Sequence, residues 1–220
     1  MRQFGCSLNP PREQHDCYYL KRGILRDSSP CLEHPMSLLN YATSGQFTRK
    51  WKEIRGKIRY LGFYPSGYRY WVRLNDRDEI EVKASVHFKN LSEFNESEII
   101  RLEGKFDRAA SHWKRYHGDY GRVHFKFSLE RDPNLASIRN VRLIRESTRG
   151  PYYSKWSLGW SASSIAHEFG HVLGLDDEYR NQPGRGDSSV CSRLSRMCTS
   201  GGRSKDYHYY LILRRVACVK

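Results

Sequence analysis

The chain has no apolar run that approaches the roughly 20 residues needed to cross a bilayer. Its first residues carry one basic side chain with no apolar core behind it, so they do not predict a secretory signal peptide. Internal repeats and low-complexity tracts are also absent. These absences argue against a membrane-spanning chain and against a repeat architecture, and we expect a soluble globular protein.

Acidic residues are few relative to basic ones. The 220 residues include 38 Lys and Arg against 24 Asp and Glu, which gives a formal charge of +14. A field of this sign attracts nucleic acid, anionic lipid or an acidic protein. The basic residues are spread along the chain, which favours a solvated basic surface over a dedicated nucleic-acid site. The length suits one domain with an added segment, or two small domains.

No two cysteines have the Cys-x-x-Cys spacing, which argues against a zinc knuckle. An even number of cysteines, divided between the two ends of the chain, predicts up to three disulfide bonds and an oxidising compartment. The six are Cys6, Cys17, Cys31, Cys191, Cys198 and Cys218. A cleaved precursor, or export without a cleaved signal, would reconcile these disulfides with the absent signal peptide. A second metal held by Cys17, Cys31 and His34 is the alternative use of the N-terminal cysteines.

Residues 1–50 contain three cysteines and show weak periodicity, and we interpret them as an N-terminal extension of a domain formed by 51–220. Within that domain several segments alternate apolar and polar residues, which predicts β-strands. The predicted strands are 57–63, 68–74, 80–88, 123–129, a short strand at Val141 and Leu143, and 152–160. Asn95 and Glu98 have the spacing of a helix N-cap and its partner, and apolar residues up to Trp113 follow at helical spacing. Strands and helices mixed in this way predict an α+β domain.

The stretch from His167 to Tyr179 reads His-Glu-Phe-Gly-His-Val-Leu-Gly-Leu-Asp-Asp-Glu-Tyr. His167 and His171 are four residues apart in an amphipathic helical pattern, so both imidazoles lie on one helix face, where they can bind one Zn²⁺. Ser161 is the expected N-cap of this helix. Glu168 lies beside the histidines, where it can act as general base on a metal-bound water. The stretch therefore predicts a catalytic zinc site.

The third ligand is expected just after the helix. Gly174 falls where a helix ends in a left-handed turn, and such a turn lets the following residues approach the same metal. Asp177 is six residues past His171 and offers a hard oxygen, so we predict it as the third ligand. The alternatives are Asp176, Glu178, Asp206 and His208. Three protein ligands leave the fourth position of a tetrahedral ion for water.

The pattern His-Glu-x-x-His-x-x-Gly-x-x-Asp, from His167 to Asp177, resembles the zinc signature of the metzincins, in which the third ligand is usually His. The form with Asp is similar to the snapalysin group of small bacterial neutral proteases. Residues 195–201, which include Met197, resemble the methionine turn that lies under the metal in that family. The run from His167 to Tyr179 also resembles metallopeptidase toxin domains of bacterial secretion systems.

This resemblance implies a zincin-like fold, with a twisted mixed sheet, an active-site helix and a backing helix. It implies that His167, His171 and Asp177 bind zinc and that Glu168 is catalytic. It also implies an edge strand within 138–160 that pairs with the substrate backbone.

The sequence thus predicts a zinc-dependent endopeptidase acting on protein substrates, and the resemblance implies a secreted bacterial toxin or effector. Such a toxin needs a neutralising partner, and the charge of +14 favours an acidic inhibitor protein. Side chains near the site are candidates to stabilise the oxyanion, although structural roles are commoner. These candidates are Tyr179, Tyr207, His208 and Tyr210. The alternative is a basic nucleic-acid-binding protein with a structural zinc. The three convincing ligands argue against it, because structural sites are normally closed by four.

Overall fold

The computed structural model describes most of the domain predicted for 51–220 and a small part of the N-terminal extension. The described residues are Leu20, 23–25, Asp27, 47–58, 66–113, 115–117, 121–147, 154–178 and 194–218. The candidate second metal ligands Cys17, Cys31 and His34 lie outside them. Across the described ranges, none of the helices combines the length and the apolar character that a membrane crossing requires.

A mixed β-sheet forms the centre of the domain. Its strands are β1 Lys52–Ile58, β2 Ser66–Leu74, β3 Ile80–Phe88, β4 Arg115–His117, β5 Gly121–Leu129, β6 Ile138–Ile144 and β7 Lys155–Ser157. The central strand β3 pairs antiparallel with β2 and parallel with both β5 and β6. Outside these pairs, β1 lies on β2, β4 on β5 and β7 on β6. Among the described strands, β1, β4 and β7 are therefore the edges of the sheet.

Helices cover this sheet, and one of them carries two of the candidate metal ligands. The main α-helices of the described ranges are α1 Glu96–Ser111, α2 Ala162–Val172 and α3 Asp206–Leu213, and short 3-10 segments span Leu91–Glu93 and Arg214–Cys218. The predicted α+β class with a mixed sheet is confirmed.

The start of α1 follows the sequence closely. The backbone N–H of Glu98 donates to Asn95 Oδ1 at 2.9 Å, and the N–H of Asn95 donates to Glu98 Oε2 at 3.0 Å. This reciprocal capping box satisfies two amides that the helix itself leaves without a partner. The helix buries Leu102, Phe106 and Ala109 against α2 and β5.

An aromatic cluster holds α2 on the sheet. The ring of Phe169 stacks on Phe127 of β5, with centroids 3.9 Å apart and planes 7° from parallel. It also meets Phe106 of α1 and Trp156 of β7 edge to face, at 5.3 Å and 5.2 Å. Burying a side chain of this size stabilises a fold by about 1.5–3 kcal/mol, and edge-to-face pairs add to that. The cluster therefore fixes the orientation of the helix that carries the two histidines.

Several strand boundaries differ from the prediction, and those of β1 and β7 differ most. The first strand begins at Lys52 rather than at residue 57. The alternation of apolar and polar residues in β1 is interrupted at Gly56, which lies between the buried Ile54 and Ile58. The Tyr68 hydroxyl fills the space that an apolar side chain at residue 56 would occupy.

The predicted strand at 152–160 also differs. Among its described residues, 154–160, Lys155–Ser157 form β7. The N–H of Trp160 donates to the Ser157 carbonyl at 3.2 Å, which turns the chain towards the start of α2. The three-residue strand β4 was not predicted, because it is too short to show an alternating pattern.

Candidate metal centre

The helix α2 brings two buried imidazoles to one place. Ser161 is its N-cap, as predicted, and accepts a hydrogen bond from the Ser164 N–H at 3.1 Å. His167 and His171 are 8% and 6% exposed, and their ring centroids are 5.0 Å apart. Their planes are nearly perpendicular, at 86°. Spacing by four residues on a helix therefore produces the expected pair.

Backbone carbonyls orient both rings. His167 Nδ1 lies 2.7 Å from the carbonyl oxygen of Arg196, and His171 Nδ1 lies 2.9 Å from that of Leu175. A carbonyl oxygen only accepts, so each Nδ1 carries a proton and donates it. In the neutral rings the lone pair is then on Nε2, the tautomer that binds a metal through that nitrogen.

The chain reverses direction after α2 and returns an acidic residue to the histidines. Gly174 has a φ of +79°, and the N–H of Leu175 donates to the Gly170 carbonyl at 2.9 Å. A left-handed glycine with such a bond is a common way to end a helix. The turn was predicted from Gly174, and it delivers Asp177, three residues further on, to the site.

Asp177 Oδ1 lies 3.2 Å from His167 Nε2 and 3.3 Å from His171 Nε2. One ligand atom from each of these buried residues falls within 4.8 Å of the others. Atoms bound about 2.0–2.2 Å from one tetrahedral ion lie about 3.3–3.6 Å from each other. The group can therefore hold a metal ion, and its spacing and its N,N,O donor set fit zinc.

The alternatives for the third ligand are placed elsewhere. Glu178 Oε1 accepts hydrogen bonds from the Tyr207 hydroxyl at 2.5 Å and from His208 Nε2 at 3.2 Å, and from the Ser195 hydroxyl. Asp176 is buried but is not part of the three-residue group. Asp206 lies in the first turn of α3.

The buried charges at the site stabilise each other. Burial by itself lowers the pKa of His171, but the carboxylate of Asp177 outweighs it and raises that pKa to about 10. Burial likewise raises the pKa of Asp177, but His171 and His167 reverse this and hold it well below its usual range. The site therefore favours a positive charge beside Asp177, which a proton or a metal cation can provide.

Glu168 follows His167 on α2 and is half-buried. After Asp177, the negative charge of Glu168 also favours the raised pKa of His171. The structure thus brings together the three predicted ligands and has Glu168 beside them.

Residues 195–201 lie under α2. The Met197 carbonyl accepts a hydrogen bond from the Glu178 N–H at 2.9 Å, and the preceding carbonyl, of Arg196, orients His167. The Met197 side chain is fully buried and packs against Gly170 of α2. Residues 195–201, which resemble a methionine turn, therefore contact both α2 and the loop that contains Asp177.

Several contacts of the site carried no sequence signal. The orienting carbonyls belong to the backbone, which every residue shares. Tyr207 and His208, candidates for oxyanion stabilisation, instead donate to the buried Glu178. Tyr210 is buried, and Tyr179 lies outside the described residues.

Cys198 is disulfide-bonded, and the pairing of the six cysteines stays a prediction.

The chain matches no protein-family model, no curated protein and no solved structure.

Proposed function

We propose that the protein is a zinc-dependent endopeptidase. The observation that carries this proposal is the convergence of three candidate ligand atoms. His167 Nε2 lies 3.2 Å and His171 Nε2 lies 3.3 Å from Asp177 Oδ1. Two neutral imidazoles and one carboxylate form a donor set typical of catalytic zinc sites. The resemblance to zincins and the position of residues 195–201 under α2 support the same proposal.

The reaction is hydrolysis of a peptide bond. A zinc ion held by His167, His171 and Asp177 would supply Lewis-acid chemistry at the scissile carbonyl and at the attacking water. Glu168 would act as general base towards that water and as general acid towards the leaving amine. His167 and His171 keep their Nε2 atoms aimed at one point, because their Nδ1 protons are held by backbone carbonyls.

The number of ligands separates this proposal from its rival. A nucleic-acid-binding protein with a structural zinc would need a fourth protein ligand, since structural sites are closed. Within the described ranges the candidate group contains three residues. Glu178 and His208, two of the other candidates, bind each other. An open fourth position favours catalysis.

Substrate binding is proposed to use an edge of the sheet. The predicted range 138–160 contains the edge strand β7. A second edge, β4, begins beside the zinc helix, because Trp113 donates its indole N–H to the Ala166 carbonyl of α2 at 2.8 Å. An extended peptide can add to either edge by backbone hydrogen bonds.

An acidic inhibitor protein is the partner that we propose. Basic side chains outnumber acidic ones on the polar face of β1, β2, β3 and β5, where the cross-strand register places them side by side. The basic residues are Arg55, Lys57, Arg69, Arg73, Lys83, Arg122 and Lys126, and the acidic ones are Glu53, Glu81 and, directly before β3, Glu79. Such a face speeds association with an acidic protein in a salt-dependent manner. A toxin or effector delivered outside the producing cell is the context in which an inhibitor of this kind would be needed.

The decisive experiment combines metal analysis with proteolysis. Glu168→Gln should lower chelator-sensitive casein hydrolysis by about 10²- to 10⁴-fold, because it removes the general base, while the zinc content stays unchanged. Glu103→Gln, an exposed change on α1, is the matched control and should keep full activity. Full activity in Glu168→Gln would overturn the assignment. Steeply salt-dependent DNA binding without proteolysis would favour the structural-zinc alternative.

A further inference from the structure

We propose that Asp27 and Arg215 are positioning residues for the metal ligand Asp177. Zinc binding is then coupled to docking of the N-terminal segment, by which we mean residues 23–25 and Asp27. The inference rests on the proposed metal site. It concerns two residues that are 188 positions apart in the chain and that meet in the interior.

Arg215 holds the turn that ends the zinc helix. Its guanidinium donates to the carbonyl of Leu173 and to the carbonyl of Gly174, both at 2.7 Å. These are the last carbonyls of α2 and its turn, which the helix itself does not satisfy. The guanidinium also lies over the ring of Tyr68, 4.1 Å from the centroid. A positive charge at the C-terminal end of a helix is favourable as well.

Asp27 holds Arg215 in place. Its Oδ2 accepts from Arg215 Nε and from Arg214 Nη2, both at 2.6 Å. Its Oδ1 accepts from the Tyr68 hydroxyl at 2.8 Å. The residue is 5% exposed and also forms a β-bridge with Ile58 of β1. A buried carboxylate with this many charged and polar donors is a strong anchor, because removing it leaves buried cations without their counter-charge.

The turn leaves little room for Arg215 to move. A Cβ atom at Gly174 would lie 2.6 Å from Arg215 Nη1 and 2.7 Å from Tyr68 Cδ1. The guanidinium is therefore packed against the residue whose positive φ redirects the chain. Asp177 follows three residues later, so the direction of its carboxylate depends on this turn. A change at Asp27 should reach the metal through Arg215 and the two carbonyls.

The N-terminal segment packs on the same part of the molecule at a second point. Gly23 lies against the side chain of Leu211 in α3, where a Cβ atom would be 2.7 Å from Leu211 Cδ1. Docking of residues 23–25 therefore accompanies formation of the Asp27 contact. By linkage, if docking of this segment strengthens zinc binding, zinc must strengthen docking by the same factor.

The test measures zinc affinity by competition with a chelator in the full chain at one fixed pH. Asp27→Asn should weaken zinc binding by about 10-fold, the lower end of the range for residues that support metal ligands. Tyr68→Phe removes a single donor to Asp27 and should weaken zinc less, in the same direction. If Asp27→Asn does not fold, Tyr68→Phe carries the test.

A control separates positioning from general destabilisation. Asn90→Ala breaks a buried pair of hydrogen bonds to Leu143, at 2.9 Å and 3.0 Å, where β3 meets β6. It should lower the melting temperature and leave the zinc affinity unchanged. Equal zinc affinity in wild type and in both Asp27→Asn and Tyr68→Phe would overturn the inference. So would an equal loss in Asn90→Ala.

The reverse direction of the coupling gives a second readout. Addition of zinc should slow hydrogen exchange of the amides at 23–25 and 27 in the wild type, and less so in Asp27→Asn. Unchanged exchange at these amides would contradict the coupling. Absence of zinc binding by the wild type would instead refute the proposed function, so the two failures are distinguishable.

Discussion

Gly170 and Met197 pack so closely that a Cβ atom on Gly170 would lie 3.0 Å from Met197 Cε, and closer still to the sulfur. Gly170 lies between the two histidines on α2, and Met197 belongs to the segment beneath them. The same Cβ atom would lie 3.3 Å from the Trp113 ring, so the space is closed on two sides. This contact sets the distance between α2 and the carbonyl of Arg196 that orients His167.

Gly170→Ala should therefore destabilise the protein and weaken zinc binding. Overpacking of a full core costs about 1–3 kcal/mol, and here the strain falls on the Met197 segment. Urea denaturation and chelator competition measure the two effects. Met197→Ala creates room, so the double variant Gly170→Ala, Met197→Ala should lose less than the sum of the single changes. Additive losses would show that the two side chains do not share this space.

Asp177→Ala should reduce zinc affinity by more than about 10- to 100-fold, the loss typical for residues that only support a metal ligand. The reason is that Asp177 Oδ1 faces both Nε2 atoms. Asp176→Ala is the matched control, because Asp176 is its buried neighbour outside the ligand group. Metal analysis after gel filtration measures both variants. Retained zinc in Asp177→Ala with loss in Asp176→Ala would assign the third ligand to Asp176.

The zinc-free protein should lose stability as the pH rises above neutrality. Burial lowers the pKa of His171, yet the Asp177 carboxylate outweighs it and raises that pKa to about 10. Because the folded value exceeds the ordinary value of about 6.5, the stabilisation is complete below pH ~6.5. It declines as the pH rises through about 10. Thermal unfolding of chelator-treated protein measures this. Asp177→Asn removes the partner and should flatten the profile, and a profile already flat in the wild type would contradict the ion pair.

Zinc binding should show the opposite dependence on pH. His171 must lose its proton before Nε2 can bind a metal, so binding releases a proton. Below the raised pKa of His171, each pH unit should strengthen zinc binding by about tenfold for this proton alone. Chelator competition at several pH values, corrected for protonation of the chelator, gives the slope. An affinity independent of pH would mean that His171 is neutral in the zinc-free protein.

Glu178→Ala should lower the free energy of unfolding more than a substitution of any one of its hydrogen-bond partners. The Glu178 Oε1 atom accepts from Ser195, Tyr207 and His208, and each buried donor left unpaired costs roughly 1–3 kcal/mol. Tyr207→Phe removes one of these donors together with its share of the bonding and should cost less. Urea denaturation of chelator-treated protein compares the two. Equal stability of both variants would show that Glu178 does not anchor the loop.

Local patterns in the sequence predicted the elements that depend on local physics. His167 and His171 share a helix face because of the helical period, and Ser161 and Gly174 mark the two ends of that helix. The capping box of Asn95 and Glu98 is likewise a matter of three-residue spacing. The predicted start of a strand was wrong where a residue from another strand fills the space of a side chain. At Gly56 in β1, the Tyr68 hydroxyl fills that space.

The sequence by itself determined the chemistry that is available, namely two imidazoles, a neighbouring carboxylate and a group of three acidic residues past the turn. Only the tertiary structure decided which of those three faces the histidines. Asp177 and Glu178 are adjacent and chemically alike, and they differ because Tyr207 and His208 from α3 bind Glu178. The support from Asp27 through Arg215 was equally hidden, because contacts between distant residues leave no periodicity in the chain.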